Sequence, residues 1–326
     1  MIAAKLSGVE VVEFAIGLGP ILAKKQFGET TYAIRALPIG GQCVMRGEDD
    51  AEGACNYNPR SLTNAKPWKK LVIICAGAFM NFLMGFIIFI CLFMPGEAYV
   101  TPTIDSLMDQ FTGGGEAGIW AGDTILEIDG YNIYVTSDIT TALSRGKDAP
   151  YYDFTVRRDG ERIKLEHIEV SPKVYVENGQ EVRYYGFRFV TKELNLFENI
   201  KLSWFNSVNM VRLVLISLGD MFRGTVKVTD ISGVVGITAV MSDAAKQSMP
   251  DFWYLAALIA INLSVMNLLP FPALDGGRAI FVLYEIIFRK PANQKFESYV
   301  NIVGILLLLG LMIFVVCNDI IRLILH

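Results

Sequence analysis

The sequence is short of charge. Only 19% of its 326 residues are Asp, Glu, Lys or Arg, whereas 52% are hydrophobic and the mean hydropathy is +0.40. A soluble protein carries more charge, about a quarter of its residues. No long basic run is present and the formal net charge is −4, so nucleic acid is not an expected partner.

Sequence motifs for metal binding are also scarce. The five cysteines form no CxxC pair, which argues against a thiolate metal site and against a disulfide framework. The two histidines, His167 and His326, lie far apart, so the sequence excludes a metal site built from histidine alone. The start, MIAAKLSGVEVVEF, lacks the features of a signal peptide and is typical of the last turn of a helix.

Three apolar stretches are long enough to cross the hydrocarbon core of a bilayer, which is about 30 Å thick. They cover residues 71–94, 252–274 and 299–317. The chain is therefore expected to be a multi-pass membrane protein in contact with the lipid bilayer.

Basic residues around these stretches predict their orientation. Lys69 and Lys70 precede the first stretch, and further basic residues lie between the second and the third, whereas residues 95–144 contain neither Lys nor Arg. By the positive-inside rule, residues 1–70 and the 278–298 loop are expected in the cytoplasm, and the segment after the first stretch is expected outside.

The segment between the first two stretches predicts a small β-rich domain over residues 97–185. GIWAGDTILEIDG predicts a turn and a strand, and YYDFTVRRDGERIKLEHIEV predicts a hairpin that turns at Asp159-Gly160. Residues 196–224 mix charged and apolar residues, which fits an amphipathic helix lying on the membrane better than a fourth span; a helix packed on the β-rich domain is the alternative. A further hairpin is predicted within residues 28–47, where a proline and two glycines separate two β-prone runs.

The stretch NLLPFPALDGGR, residues 267–278, ends the second apolar stretch with a carboxylate. Pro270 and Pro272 break the helix before Asp275, and two glycines free the backbone after it. A carboxylate at membrane depth faces protein or a water-filled cavity, and broken backbone is tolerated there on the same condition. Asp275 is therefore a candidate functional residue; the alternative is an interfacial aspartate that caps a helix after Gly277.

Two asparagines, Asn262 and Asn267, lie on the approach to this carboxylate. Their amides are able to hydrogen-bond an extended peptide or to join neighbouring helices. Both are candidate substrate-binding residues, with helix packing as the alternative.

These motifs resemble those of the site-2 intramembrane zinc metalloproteases, in particular the bacterial enzymes that carry an extracytoplasmic PDZ domain and cut anti-sigma factors. NLLPFPALDGGR resembles the motif of the family's third span, and GETTYAIRALPIGGQCVMRGED resembles its membrane re-entrant β-hairpin. AGIWAGDTILEIDGYNI resembles a PDZ core, and CNDIIRL resembles the end of the fourth span. The resemblance covers nearly the whole chain.

The resemblance implies a fold and a set of site residues. The fold is an α-helical polytopic membrane protein with an inserted extracytoplasmic PDZ-like domain, β-rich and of α+β class, and a membrane re-entrant β-hairpin. Asp275 matches the aspartate that holds the catalytic Zn²⁺ together with two histidines of an HExxH motif. Asn262 and Asn267 match substrate-binding positions, and Gly40 and Gly41 match the hairpin whose edge pairs with an unwound substrate strand.

The sequence contains no HExxH motif, and so lacks both histidine ligands and the glutamate that acts as general base. In the family, residues similar to FxIAAKLSG follow that motif, whereas this sequence begins MIAAKLSG. The resemblance therefore implies a chain truncated before HExxH, with a remnant of the first helix within residues 1–70. The alternative is an inactive pseudoprotease that binds membrane helices or peptides through its PDZ domain and groove.

For the intact protein, the resemblance implies a zinc metalloendopeptidase of the cytoplasmic membrane that acts in regulated intramembrane proteolysis. Its substrate is expected to be a single-span membrane protein, either an anti-sigma factor or a remnant signal peptide. Because one carboxylate does not hold catalytic zinc, no catalytic residue is expected in the chain as written.

Overall fold

A computed structural model describes residues 1–47, 58–108, 111, 113–114, 118–145, 150–171, 173–177, 180–224, 234–291 and 293–325. The chain divides into two compact units. The first comprises Met1–Met84, Met221–Lys246 and Ile259–His326, and the second comprises Gly85–Asp220 and Gln247–Leu258.

The first unit combines one β-ribbon with several helices. It begins with the short helix α1 (Ile2–Leu6) and two long strands, β1 (Val11–Phe27) and β2 (Thr30–Met45). The helices that follow are the start of α2 (Pro67–Phe93), then α5 (Val234–Gln247), the end of α6 (Met249–Leu268), α7 (Asp275–Phe288) and α8 (Gln294–Leu325).

The β-ribbon differs from the hairpin predicted within residues 28–47. Residues 13–16 of β1 have register partners on both sides, residues 31–34 and residues 41–44. The two predicted β-prone runs therefore both belong to β2, and both pair with β1 instead of with each other. The sequence pattern missed β1 because glycines at 17 and 19, both with positive φ, interrupt its alternation.

The second unit contains the β-rich domain. One sheet has the strand order β10-β3-β4-β6-β7, with β5 paired to β4, and β8 pairs separately with β9. The elements of the domain are β3 (Ala98–Leu107), β4 (Thr124–Ile128), β5 (Tyr131–Asn132), α3 (Thr136–Arg145), β6 (Tyr151–Arg158), β7 (Glu161–Glu169), β8 (Lys173–Glu177), β9 (Gln180–Tyr184) and β10 (Phe187–Glu193). Side chains from both ends of the domain, including Ile104, Phe154 and Phe187, meet in one buried core.

Two predictions for this domain have different outcomes. The hairpin at Asp159-Gly160 is confirmed, since β6 and β7 pair around these two residues and both have positive φ, 52° and 88°. The domain itself extends beyond the predicted residues 97–185, because β10 pairs with β3 as far as Glu193. The missed strand follows β8 and β9 directly. Its partner β3 lies far earlier in the chain, so that Phe187 pairs with Leu107 and Glu193 with Ala98, and local sequence patterns do not reveal such a pairing.

The segment predicted as a helix over residues 196–224 is α4, Leu196–Phe222. Arg212 of α4 donates to the carbonyl of Asn132 at 2.9 Å, and its guanidinium lies 4.1 Å from the centre of the Tyr131 ring. Further along, Asp220 pairs with Arg145 of α3 at 2.8 Å. These contacts agree with the alternative in which the helix packs on the β-rich domain.

A buried carboxylate lies beneath this contact. Asp138 of α3 is completely buried, and its Oδ2 accepts the N–H groups of Tyr134 and Val135 at 2.7 and 3.0 Å. Nη1 of Arg212 lies 3.7 Å from its other oxygen. Burial nevertheless raises the pKa of Asp138, because desolvation of the carboxylate outweighs these bonds.

Four helices are long and apolar enough to cross a membrane: Pro67–Phe93, Leu196–Met221, Met249–Leu268 and Lys295–Asp319. Three of them match the predicted stretches, and the fourth is α4. The chain is thus a polytopic membrane protein with a β-rich domain. The 278–298 segment, expected as a loop, is mostly helical, because α7 occupies it as far as Phe288 and α8 begins at Gln294.

The last helix, α8, contacts its unit along one narrow stripe. Gly304, Val315 and Asp319 are buried, Asn301 is half-buried, and most residues between them are exposed. Near the far end, Oδ2 of Asp319 accepts the N–H of Gly236 in α5 at 2.9 Å. The exposed remainder is apolar, as expected for a helix whose other faces contact lipid.

Candidate active site

Asp275 is the first residue of α7, and a turn over residues 269–274 connects it to α6. Pro270 and Pro272 stop α6, because proline has no N–H and its ring blocks a continuing helix. Leu274 then takes an extended conformation as the N-cap of α7, so the helix starts at Asp275 and not after Gly277. The capping alternative is therefore wrong, and the carboxylate occupies the helix break as a half-buried side chain.

The two glycines after Asp275 are explained by close packing. A Cβ on Gly276 would overlap the carbonyl oxygens of Leu268 and Leu269, and a Cβ on Gly277 would overlap the carbonyl of Phe271. Since these are backbone atoms, they cannot rotate away as a side chain could. The first turn of α7 therefore lies directly against the end of α6, which fixes Asp275 close to the helix that precedes it.

Helix α2 supplies the neighbours of the carboxylate. A Cβ on Gly77 would lie 3.6 Å from Oδ2 of Asp275, an ordinary van der Waals distance. Cys75, one half-turn earlier, is near enough to interact electrostatically with Asp275. Sequence reasoning missed both residues, although the run of small residues at 76–78 is typical of close helix packing in membranes.

Asn262 and Asn267 both lie on α6 and are half-buried. Five residues at about 100° each place their side chains roughly 140° apart around the helix. Within the described part of the chain, neither side-chain amide makes a hydrogen bond. An amide in an apolar span that lacks a partner in the protein is available to a ligand.

Gly40 and Gly41 lie in β2, in the bent part of the β-ribbon, and both are exposed. Gly40 has a φ of 73°, which glycine adopts without strain. Gly41 pairs with Ile16, and a Cβ there would be 3.3 Å from the carbonyl oxygen of Ala15. Both glycines belong to the first unit, together with Asp275 and the two asparagines.

Ion pairs fix the base of the ribbon and the start of α2. Both oxygens of Glu10 accept from Arg46 at 2.7 Å, so the two ends of the ribbon are joined and the pKa of Glu10 falls below its usual range. Lys70 pairs with Glu285 of α7 at 3.1 Å, with both side chains mostly buried. The Lys70–Glu285 pair joins α2 to α7, the two helices that meet at Asp275.

The described residues do not provide a zinc site. Among them, no group of three or more His, Cys, Asp or Glu lies close enough to share a metal ion. A catalytic zinc needs three protein ligands and an open position. His167 lies in the second unit, and His326 lies outside the described residues. Asp275 is thus one potential ligand and not a complete set.

Comparison with known proteins identifies a family. The sequence profile of Peptidase family M50 matches residues 1–311. A Clostridium perfringens protein named "Putative zinc metalloprotease" is 36% identical, over 98% of this chain and 92% of that protein. A Campylobacter jejuni protein of the same name is 33% identical, over 99% of this chain and 88% of its own length.

A further relative has a more specific name. The Regulator of sigma-W protease RasP of Bacillus subtilis is 28% identical, over 99% of this chain and 94% of that protein. The matched region contains the broken span, the half-buried aspartate and the glycines that position it. The chain therefore belongs to Peptidase family M50, the site-2 proteases.

Proposed function

We propose that the protein acts as an intramembrane zinc metalloendopeptidase that cuts single-span membrane proteins in regulated intramembrane proteolysis. The observation that carries the proposal is the placement of Asp275, which is half-buried at the N-terminus of α7, in a proline-induced break at the end of a span. A carboxylate in that position is costly unless it has a function.

Asp275 serves as one metal ligand in this proposal. The first turn of α7 and the adjacent Gly77 hold its carboxylate between two helices. Among the described residues, no group of three His, Cys, Asp or Glu includes it, so the proposal needs further ligands, which the resemblance assigns to an HExxH segment.

Asn262, Asn267 and the β-ribbon are the proposed substrate contacts. A peptide bond can be cut only when the substrate helix is unwound, and an unwound strand has unpaired N–H and C=O groups. The side-chain amides of Asn262 and Asn267 have no bond to any described residue and are able to satisfy such groups, and the exposed bend at Gly40 and Gly41 is able to pair with a strand. Anti-sigma factors and remnant signal peptides are the substrate classes that fit.

The proposed location is the cytoplasmic membrane, with the β-rich domain outside. Lys69 and Lys70 at the start of α2 support this orientation, because positive residues stay on the cytoplasmic side. In this position the PDZ-like domain contacts the extracytoplasmic part of a substrate. The competing function is that of an inactive protein that holds membrane helices through the same surfaces.

The proposal is tested by cleavage of a single-span reporter protein. The protease is expressed from its genomic gene, together with any codons upstream of Met1. Asp275→Ala is expected to reduce cleavage at least a hundredfold. The matched control is Asp251→Ala, since Asp251 also lies in the first turn of a helix but is exposed. Equal cleavage by the wild type and by Asp275→Ala would remove Asp275 from the mechanism. No cleavage by any form, together with no HExxH upstream, would favour the inactive binder.

A further inference from the structure

The turn before Asp275 has one backbone N–H group that donates to a side chain. Three of its six residues donate to nearby carbonyls: Leu269 to Met266, Phe271 to Leu269, and Leu274 to Phe271. The two prolines have no N–H. The remaining group belongs to Ala273, and it donates to Oδ1 of Asn301 on α8 at 3.3 Å. Within the turn, the N–H groups are thus all accounted for, and one of them depends on a side chain from another helix.

The same residue has an unfavourable backbone conformation. Ala273 has a φ of 72°, a left-handed value that a residue with a Cβ rarely adopts. Such a conformation persists only where the surrounding structure determines it. The turn itself accounts for this value: Leu274 donates to the carbonyl of Phe271, Pro272 is the second residue of the turn, and a type II β-turn requires a positive φ at its third residue. The N–H of Ala273 is not used inside this turn; it donates to Oδ1 of Asn301, which holds the turn against α8.

Helix α8 also contacts the turn through its backbone. A Cβ on Gly304 would lie 2.7 Å from the carbonyl carbon and oxygen of Pro272, so only glycine allows this approach. Gly304 lies one helical turn after Asn301 and on the same face. The two residues together bring α8 against the turn from Pro272 to Ala273.

Asn301 is otherwise difficult to explain. Most of the surrounding residues of α8 are exposed and apolar, including Ile302 and Val303, and a polar side chain in such a helix usually has a partner in the protein. Its partner here is a backbone group two residues before Asp275. A displacement of Ala273 would also displace Asp275, since only Leu274 lies between them.

We propose that Asn301 is a positioning residue for Asp275. Its Oδ1 holds the turn from Phe271 to Leu274 against α8, and the position of this turn sets the direction in which α7 starts and the carboxylate points towards α2. The inference rests on the proposed function for its consequence in catalysis, but the geometry it describes can be measured without any activity.

A cross-linking experiment tests the geometry. In the full chain, purified in detergent micelles, the five native cysteines are replaced by alanine, and Gly77→Cys and Asp275→Cys are introduced. A Cβ at Gly77 lies 3.6 Å from Oδ2 of Asp275, so the two thiols are expected to form a disulfide rapidly under mild oxidation. The rate is then compared in three backgrounds: Asn301, Asn301→Asp and Asn301→Leu.

Asn301→Asp keeps the acceptor oxygen and is expected to form the disulfide within twofold of the Asn301 rate. Asn301→Leu has a similar size but no acceptor, and is expected to be at least tenfold slower. If the Asn301→Leu variant is not monodisperse, Asn301→Ala is used in its place, and it too is expected to form the disulfide at least tenfold more slowly. Equal rates in the acceptor-bearing and acceptor-free backgrounds would overturn the proposal.

Reporter cleavage in the native-cysteine protein separates this proposal from the proposed function. Asn301→Leu is expected to lower kcat at least tenfold with KM within threefold of the wild type, and Asn301→Asp is expected to restore most of kcat. Slower cross-linking in a protein that never cleaves supports the positioning role while the proposed function fails. Loss of cleavage in Asp275→Ala with cross-linking unaffected by Asn301→Leu supports the function and overturns the positioning role.

Discussion

Two glycines of α8 are expected to respond in opposite ways to the same substitution. A Cβ on Gly304 would lie 2.5 Å from Cβ of Pro272, and 2.7 Å from its carbonyl carbon and oxygen, whereas a Cβ on Gly310 meets nothing within 4 Å. Both residues lie within one regular helix, six positions apart. The pair therefore separates the effect of contact with the turn from the effect of alanine on the helix.

The magnitude follows from these distances. Carbon atoms in contact prefer separations of about 3.5–4.0 Å, so Gly304→Ala is too close by roughly 1 Å to atoms of the main chain. Overpacking of this kind costs about 1–3 kcal/mol. Alanine returns at most about 1 kcal/mol through its helix propensity, and it does so at both positions. The difference between the two variants thus isolates the steric cost, and we expect Gly304→Ala to be less stable than Gly310→Ala by about 1–3 kcal/mol.

The measurement is unfolding of both variants and of the wild type in the same detergent, followed by tryptophan fluorescence while the fraction of SDS is raised. Gly310→Ala should unfold with the wild type or slightly later, and Gly304→Ala should unfold earlier. Equal stability of the two alanine variants would show that α8 does not contact the turn as described, and would weaken the positioning role of Asn301 with it.

Two further predictions concern ionisable groups of the β-rich domain. The raised pKa of Asp138 means that its contribution to stability is fully present below the unfolded pKa, near 4, and is lost as pH rises through the folded value. The free energy of unfolding should therefore fall over this range in the wild type, and Asp138→Asn should lack that fall; identical pH profiles would contradict the burial argument. Tyr99 donates to Glu198 at 2.8 Å, and burial, followed by this bond, raises the pKa of Tyr99 to about 12. The tyrosinate absorbance that the wild type has and Tyr99→Phe lacks should appear at about that pH. In Glu198→Gln the pKa of Tyr99 should fall but stay above 10, because burial is the larger cause. A fall to 10 would show instead that the bond to Glu198 is the main cause.

The broken span could be predicted from sequence because its determinants are local. Prolines at 270 and 272 stop a helix wherever they occur, and the aspartate and two glycines follow within five residues. Nothing in that string shows why glycine is required at Gly276 and Gly277. The answer lies in carbonyls of α6, which only the folded chain brings against α7.

Long-range partners were beyond the reach of the sequence. The β2 runs were located by their composition, but their pairing with β1 depends on bends that no two-residue period reveals. Asn301 gave no signal either, because a single asparagine in an apolar helix does not indicate which backbone group it meets. For α4, charge spacing left two alternatives, and the contacts of Arg212 and Asp220 with the β-rich domain favour one.

The stripe along α8 links the lipid phase to the turn before Asp275. Asn301 and Asp319, the two polar contacts of this stripe, are eighteen residues apart, which is about 27 Å along a helix at 1.5 Å per residue. That length is close to the thickness of the hydrocarbon core, about 30 Å. A thinner or thicker bilayer tilts such a helix or exposes its ends, at a cost that grows with the mismatch. Because Asn301 lies at one end of this stripe, a tilt of α8 would move the oxygen that accepts the Ala273 N–H, and a change in bilayer thickness would thereby reach the turn before Asp275.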